Sequence, residues 1–248
     1  MMFLVNLLNE YFRILSMLGM AGVLLAIIGH RVLFGVHYPG LNEDEKDVKR
    51  FSLWERFIHL ITLVSFFALA VTGFVAVLWY GDALTGWLRF VHIMSAAVFA
   101  VAFLTITLRW AEDCRFANCD WEWARGFGGY LGGHKDVPAG RFNGGQKGFF
   151  WAILCLGIVC MLSGALRMFP VIFAGYQEIA YLVHRYSSLL LVIFVIVHIY
   201  LGTFANPGTW QVLVTGKVSA RWAYLHHSLW HPEAKDGVVE SGQEKRAS

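Results

Sequence analysis

The sequence predicts an all-α membrane protein with five transmembrane helices, on three observations. Hydrophobic residues fill 57% of the 248 positions and charged residues 15%, where a soluble domain carries nearer a quarter charged. The apolar residues gather into five runs long enough to cross a bilayer, roughly 14–36, 57–80, 89–110, 148–169 and 181–204. The cationic residues are distributed unevenly between the segments that join those runs.

The first run is preceded by Asn6, Asn9, Glu10 and Arg13 and closed by His30-Arg31, with no small-residue cleavage site. It therefore reads as an uncleaved helix and not as a signal peptide. If the charged segment after it faces the cytoplasm and the spans alternate, every Lys and Arg except Arg13, Arg89, Arg167 and Arg185 falls inside. The positive-inside rule then orients a multi-pass protein of the bacterial inner membrane, N-terminus periplasmic and C-terminus cytoplasmic. A formal charge of +3 gives no reason to expect nucleic acid. Cys114 and Cys119 lie in the long cytoplasmic loop, where a disulfide is not expected. Cys155 and Cys160 lie within the fourth span as small buried hydrophobes. The end from 234 to 248 is polar.

The histidines carry the chemistry. His184 and His198 stand fourteen residues apart in the fifth run. At about 100° and about 1.5 Å per residue they return to within roughly 40° of one face, about 21 Å apart in depth. Imidazole inside a bilayer is rare unless it lines a cavity or binds something. His59 opens the second run and His92 the third. Alternating topology sorts the four into an inner pair, His59 with His198, and an outer pair, His92 with His184. Each pair comes from two helices, as bis-histidine ligation of a planar macrocycle requires. No CxxCH attachment motif is present, so the two haems would be b-type, held by axial bonds and packing. Iron with both axial positions filled by protein carries electrons and does not bind oxygen. Gly73, Ser95-Ala96-Ala97 and Ser187-Ser188 are small residues that leave room for porphyrin. The rival reading is a haem-free transporter or scaffold whose histidines line a proton path. That role calls for acidic partners within the spans, and Glu55 is the only nearby candidate. His30, His37, His134, His226, His227 and His231 read as ordinary boundary residues.

Arg56, Arg89, Arg167 and Arg185 stand near the histidine levels. Arginine pairs bidentately with carboxylates, so haem propionates are candidate partners, with snorkelling to lipid headgroups the equal alternative. The cytoplasmic loop closes with Arg141-Phe142-Asn143-Gly144-Gly145-Gln146-Lys147. Asn143 and Gln146 either supply amide donors to a quinone headgroup or cap the fourth span. The stretch Gly216-Lys217-Val218-Ser219-Ala220-Arg221-Trp222, with His226-His227, reads as a basic, aromatic interfacial helix on the inner leaflet.

Together, Arg56-Phe57-Ile58-His59, Arg89-Phe90-Val91-His92, the Phe142–Lys147 loop, the His184–His198 spacing and the 216–227 tail resemble the cytochrome b (gamma) subunit of respiratory formate dehydrogenases, over roughly residues 52–231. The resemblance implies a four-helix di-haem cytochrome b bundle (52–205), with an extra N-terminal transmembrane helix and charged segment (1–51) and a cytoplasmic interfacial helix and polar tail (206–248). It implies two haem b groups. Electrons would arrive from a periplasmic iron–sulfur subunit fed by a molybdenum- or tungsten-dependent formate-oxidising subunit. They would leave to a quinone, menaquinone or ubiquinone, held near the cytoplasmic face by Asn143 and Gln146 beside His198. The chain would be the electron-transfer and quinone-reducing subunit, itself non-catalytic for formate, with membrane lipid around it. The cytochrome b subunit of a membrane-bound hydrogenase or another periplasmic oxidoreductase shares the histidine layout, but the loop and tail argue against it. The extra helix carries no ligand set and is expected to pack on the bundle or on a partner, and the charged stretch 42–50 follows it.

Overall fold

A helix apolar on every side has no face to offer water, and five such helices dominate the computed structural model. Residues 2–36, 48–81, 84–132 and 137–230 are described. The charged stretch expected at 42–50 lies outside them as far as residue 47, as do His37, His134, His231 and the polar end from 234. The long helices are α1 (Met2–Phe34), α2 (Leu53–Val75, continued by a π-helical turn, Ala76–Tyr80), α3 (Gly86–Trp110), α5 (Gly144–Met168) and α6 (Gln177–Thr203). Each is long and apolar enough to cross a membrane. Short elements fill the connections: β1 (Val48–Lys49), α4 (Asn118–Gly126), α7 (Val212–Thr215), β2 (Lys217–Val218) and α8 (Ala220–His226).

The chain forms two compact units, one of Met1–Ala26, Ile58–Thr107 and Trp151–Val197, the other of Ile27–Phe57, Leu108–Phe150 and His198–Ser248. In the first unit, α1 begins well before the expected residue 14 because α6 provides partners for its polar start. Tyr186 Oη donates to the Leu8 carbonyl at 3.0 Å and Arg185 to the Asn9 carbonyl at 3.3 Å. Phe12 packs edge-on against Tyr186 at 5.1 Å. Gly19 has no side chain, and a Cβ there would lie 3.3 Å from Ile193. The extra helix thus packs on α6. Elsewhere in this unit Gly157 admits the Phe103 ring, which a Cβ would meet at 2.9 Å.

The second unit is polar where the first is not. Ser52 caps α2 in a reciprocal box: Glu55 N donates to Ser52 Oγ at 3.2 Å and Ser52 N to Glu55 Oε2 at 2.8 Å. The same carboxylate receives Arg141 at 2.7 Å and Trp110 Nε1 at 2.9 Å. Lys147 and Asp120, each only 6% exposed, pair at 2.8 Å. The tail is not one helix. Gly216 turns at φ 75°, β2 pairs antiparallel with β1 (Val48 opposite Val218), and Ser219 then caps α8 through Trp222 N. Trp222 and Ala223 are consequently buried with Val212 and Val218. Arg50, 5% exposed, stands over the Trp222 ring at 4.8 Å and the Trp230 ring at 5.3 Å, a cation–aromatic contact that offsets part of its burial.

Candidate functional site

Within the first unit, α3 and α6 bring His92 and His184 face to edge, ring centroids 6.3 Å apart and planes at 74°. Their protonation follows from their neighbours. The Cys160 carbonyl can only accept, so His184 Nδ1–H donates to it at 2.9 Å. Thr72 spends its one hydroxyl hydrogen on the Ala68 carbonyl at 2.6 Å, so its oxygen accepts from His92 Nδ1–H at 2.8 Å. Both rings are therefore Nδ1–H tautomers with the lone pair on Nε2, the form a metal-binding imidazole takes when its other nitrogen is tied down.

Two imidazoles from different helices, each with Nδ1 committed and Nε2 left as a lone-pair donor, would be able to hold a metal. Among the described residues no group of three or more His, Cys, Asp and Glu side chains is arranged to hold a metal ion. A pair of imidazoles without further side-chain ligands would suit a metal that brings its remaining ligands with it, as in a haem, which would supply one-electron chemistry. Gly164 makes room for the His184 ring, since a Cβ there would lie only 3.1 Å from its Cε1, whereas one at Gly73 would make ordinary contact with His92 Cε1 at 3.6 Å.

The arginines divide. Arg185, next to His184, has its guanidinium over Tyr181 at 4.0 Å and Phe12 at 4.9 Å. Its Nε is buried without a hydrogen-bond partner, which suits an anionic group such as a propionate. Arg167 covers Tyr181 at 4.3 Å, and Arg89 is exposed. Arg56, in the second unit, donates to the Val214 carbonyl and so ties down the tail, while its Nε is buried and unpartnered.

His59 falls in the first unit and His198 in the second, so their pairing rests on the depth reading alone. His198 stacks on Phe149, centroids 4.4 Å apart and planes within 8°. Asn143 and Gln146 do form a helix cap: Asn143 N donates to Gln146 Oε1 at 3.1 Å and Gln146 N to Asn143 Oδ1 at 2.9 Å. The cap does not exhaust them. With both amide oxygens held by backbone N–H groups, both NH2 groups remain as donors. Trp123 packs over this turn so closely that a Cβ at Gly145 or Gly128 would run into its indole.

Sequence reasoning missed Thr72, Gly164 and His30. Thr72 and Gly164 carry no periodic signal, and only the fold shows that each meets a histidine ring. His30, expected to be an ordinary boundary residue, holds Tyr200 Oη at 2.7 Å and the Tyr130 carbonyl at 3.0 Å.

The chain is 28% identical to the nitrate-inducible formate dehydrogenase cytochrome b556(Fdn) subunit of Escherichia coli, covering 82% of this chain and 96% of that protein. It is 26% identical to the formate dehydrogenase cytochrome b556(fdo) subunit of the same organism, over 76% and 93% of the two. It is 32% identical to the formate dehydrogenase cytochrome b556 subunit of Haemophilus influenzae, over 58% and 63%. The family described as prokaryotic cytochrome b561 matches residues 50–216. That match takes in α2, α3, α5 and α6 with His59, His92, His184 and His198, and the chain belongs to the prokaryotic cytochrome b561 family of helical, haem b membrane proteins.

Proposed function

We propose that the chain is the membrane cytochrome b subunit of a formate dehydrogenase complex, binding two haem b groups and reducing quinone near the cytoplasmic face. The observation that carries this reading is the His92–His184 pair, 6.3 Å apart with both Nδ1 atoms committed. The names of the relatives supply the complex. His92 and His184 hold the outer group and His59 and His198 the inner one, with Arg185 and Arg89 available to propionates outside and Arg56 inside. When bound, haem b supplies one-electron carriage between the two membrane faces.

The residues of the chain supply position and environment. Thr72 and the Cys160 carbonyl keep the outer imidazoles in the ligating tautomer. Asn143 and Gln146 present two amide donors to the carbonyl oxygens of a quinone ring, whose isoprenoid tail stays in lipid. The partners in this reading are a periplasmic iron–sulfur subunit and a molybdenum- or tungsten-dependent formate-oxidising subunit. The chain lies in the inner membrane with N-terminus outside and C-terminus inside.

The test uses membranes that contain the complex. Formate should reduce the b-type haem, hydrogen should not, and added quinone should reoxidise it. Reduction by hydrogen would favour a hydrogenase cytochrome b, and the absence of a b-type signal would overturn the haem reading.

A further inference from the structure

In the first unit, α1 meets α6 along a stripe formed by Val5, Asn9, Phe12, Ser16 and Gly19, whose spacing of three or four residues puts them on one helix face. Val5, Phe12 and Ser16 are buried, and a Cβ at Gly19 would stand 3.3 Å from Ile193 of α6. Ser16 spends its hydroxyl on the Phe12 carbonyl at 2.7 Å. Asn9 finds no such outlet: its Nδ2 and Oδ1 are both buried, and neither has a hydrogen-bond partner. Its backbone carbonyl accepts from Arg185 at 3.3 Å, and Arg185 Nε is likewise buried and unpartnered. The Arg185 guanidinium shares the Tyr181 ring with a second one, Arg185 at 4.0 Å from the centroid and Arg167 at 4.3 Å. Among the described residues neither arginine has a carboxylate within ion-pair distance. Two cations beside one ring repel, and charge at membrane depth is found paired.

We propose that Asn9, Arg185 and Arg167 form the seat of a carboxylate, a propionate of the haem held by His92 and His184, so that the extra helix α1 supplies a binding residue to that haem. The inference rests on the haem reading above. A carboxylate only accepts hydrogen bonds, and the donors left over here are Arg185 Nε–H and the Asn9 amide. Its charge offsets the two guanidinium groups that lack a partner. Arg185 directly follows His184, about 1.5 Å along the helix axis, which sets the seat at the depth of the histidine pair. The family match begins at residue 50, so both arginines lie within the shared stretch and Asn9 lies outside it.

The experiment records the propionate bending bands by resonance Raman spectroscopy and the haem midpoint potentials by redox titration, on the purified complex. Asn9→Leu keeps the bulk of the side chain and removes the donor. The propionate bands of the His184 haem should shift. Its potential should fall, because a propionate that loses a hydrogen bond keeps more of its negative charge and favours the oxidised iron. One net hydrogen bond is worth about three- to tenfold in that preference, and tenfold is about 59 mV for one electron. Haem per chain should stay near wild type, since both histidines remain. Wild-type bands and an unchanged potential in Asn9→Leu overturn the inference. If those are accompanied by a loss of bound phospholipid, the seat belongs to a headgroup phosphate and the propionate assignment is again overturned. If Asn9→Leu fails to assemble, Asn9→Ala is measured in its place, with the same shifts expected and wild-type values again fatal. A wild-type complex that carries no b-type haem fails at the earlier step, the haem reading itself.

Discussion

Replacing Thr72 by valine removes one oxygen and keeps the shape of the side chain. In the native protein that oxygen donates to Ala68 O at 2.6 Å and accepts from His92 Nδ1–H at 2.8 Å. In Thr72→Val the imidazole must either bury an unpartnered N–H, at a cost of about 1–3 kcal/mol, or move its proton to Nε2, the nitrogen a metal needs. Both routes penalise ligation. Groups that orient a metal-binding histidine in this way are worth about 10–100-fold in affinity, and each factor of ten is about 1.4 kcal/mol, so the two estimates agree. Purified Thr72→Val should retain less haem than wild type when diluted in detergent. The midpoint potential of the remaining outer haem should rise, because a less basic imidazole favours the oxidised iron less. A tenfold change in that preference is about 59 mV for one electron. Thr72→Ser keeps the oxygen and should titrate like wild type. Undiminished haem retention and an unchanged potential in Thr72→Val would refute the role given to Thr72.

The other expectations concern packing and charge. Gly164→Ala would bring a Cβ within 3.1 Å of His184 Cε1 and 3.2 Å of Nδ1, an overpacking of about 1–3 kcal/mol. Haem absorbance per chain should fall, and fall further in Gly164→Leu, while Gly148→Ala, which meets nothing within 4 Å, should match wild type. Asp120→Ala strands the Lys147 ammonium in a site only 6% exposed and should cost about 3–5 kcal/mol; an unchanged Tm would contradict this. His227 is fully buried with Nδ1 on the Gly140 carbonyl. Burial first, then Arg50 and His226, hold its pKa well below the usual 6.5. The unfolded segment takes up a proton near pH 6.5 and the folded one does not, so its contribution is complete above that pH. It falls as pH drops toward the folded value, by up to about 1.4 kcal/mol per unit. The hydrogen-exchange protection of residues 212–230, measured relative to the intrinsic rate at each pH, should fall as pH drops from 7.5 to 5.5, and His227→Asn should flatten that dependence.

The five spans were legible because apolar runs of that length have no soluble alternative, and the meeting of His92 with His184 was legible because helix geometry relates their positions along two spans. Helix ends were harder to place. Asn6, Asn9, Glu10 and Arg13 read as flanking polar residues until Tyr186 and Arg185 are seen to meet the backbone of that turn. The tail read as one helix because its partner strand, Val48–Lys49, lies far away in sequence. Asn143 and Gln146 were open between capping and binding, and the structure shows the cap, made by the side-chain oxygens. What the sequence could not reveal were the residues that act on another helix, Thr72 on His92, Gly164 on His184 and His30 on Tyr130, since each depends on a contact between distant segments.

If His59, His92, His184 and His198 hold two haem b groups, a pyridine haemochrome count on the purified, haem-replete complex tests it most directly. Two b-type haems per chain are expected, falling to one in His92→Ala or His184→Ala. A folded wild-type chain that carries no haem, or a full count of two in either histidine variant, would contradict the account.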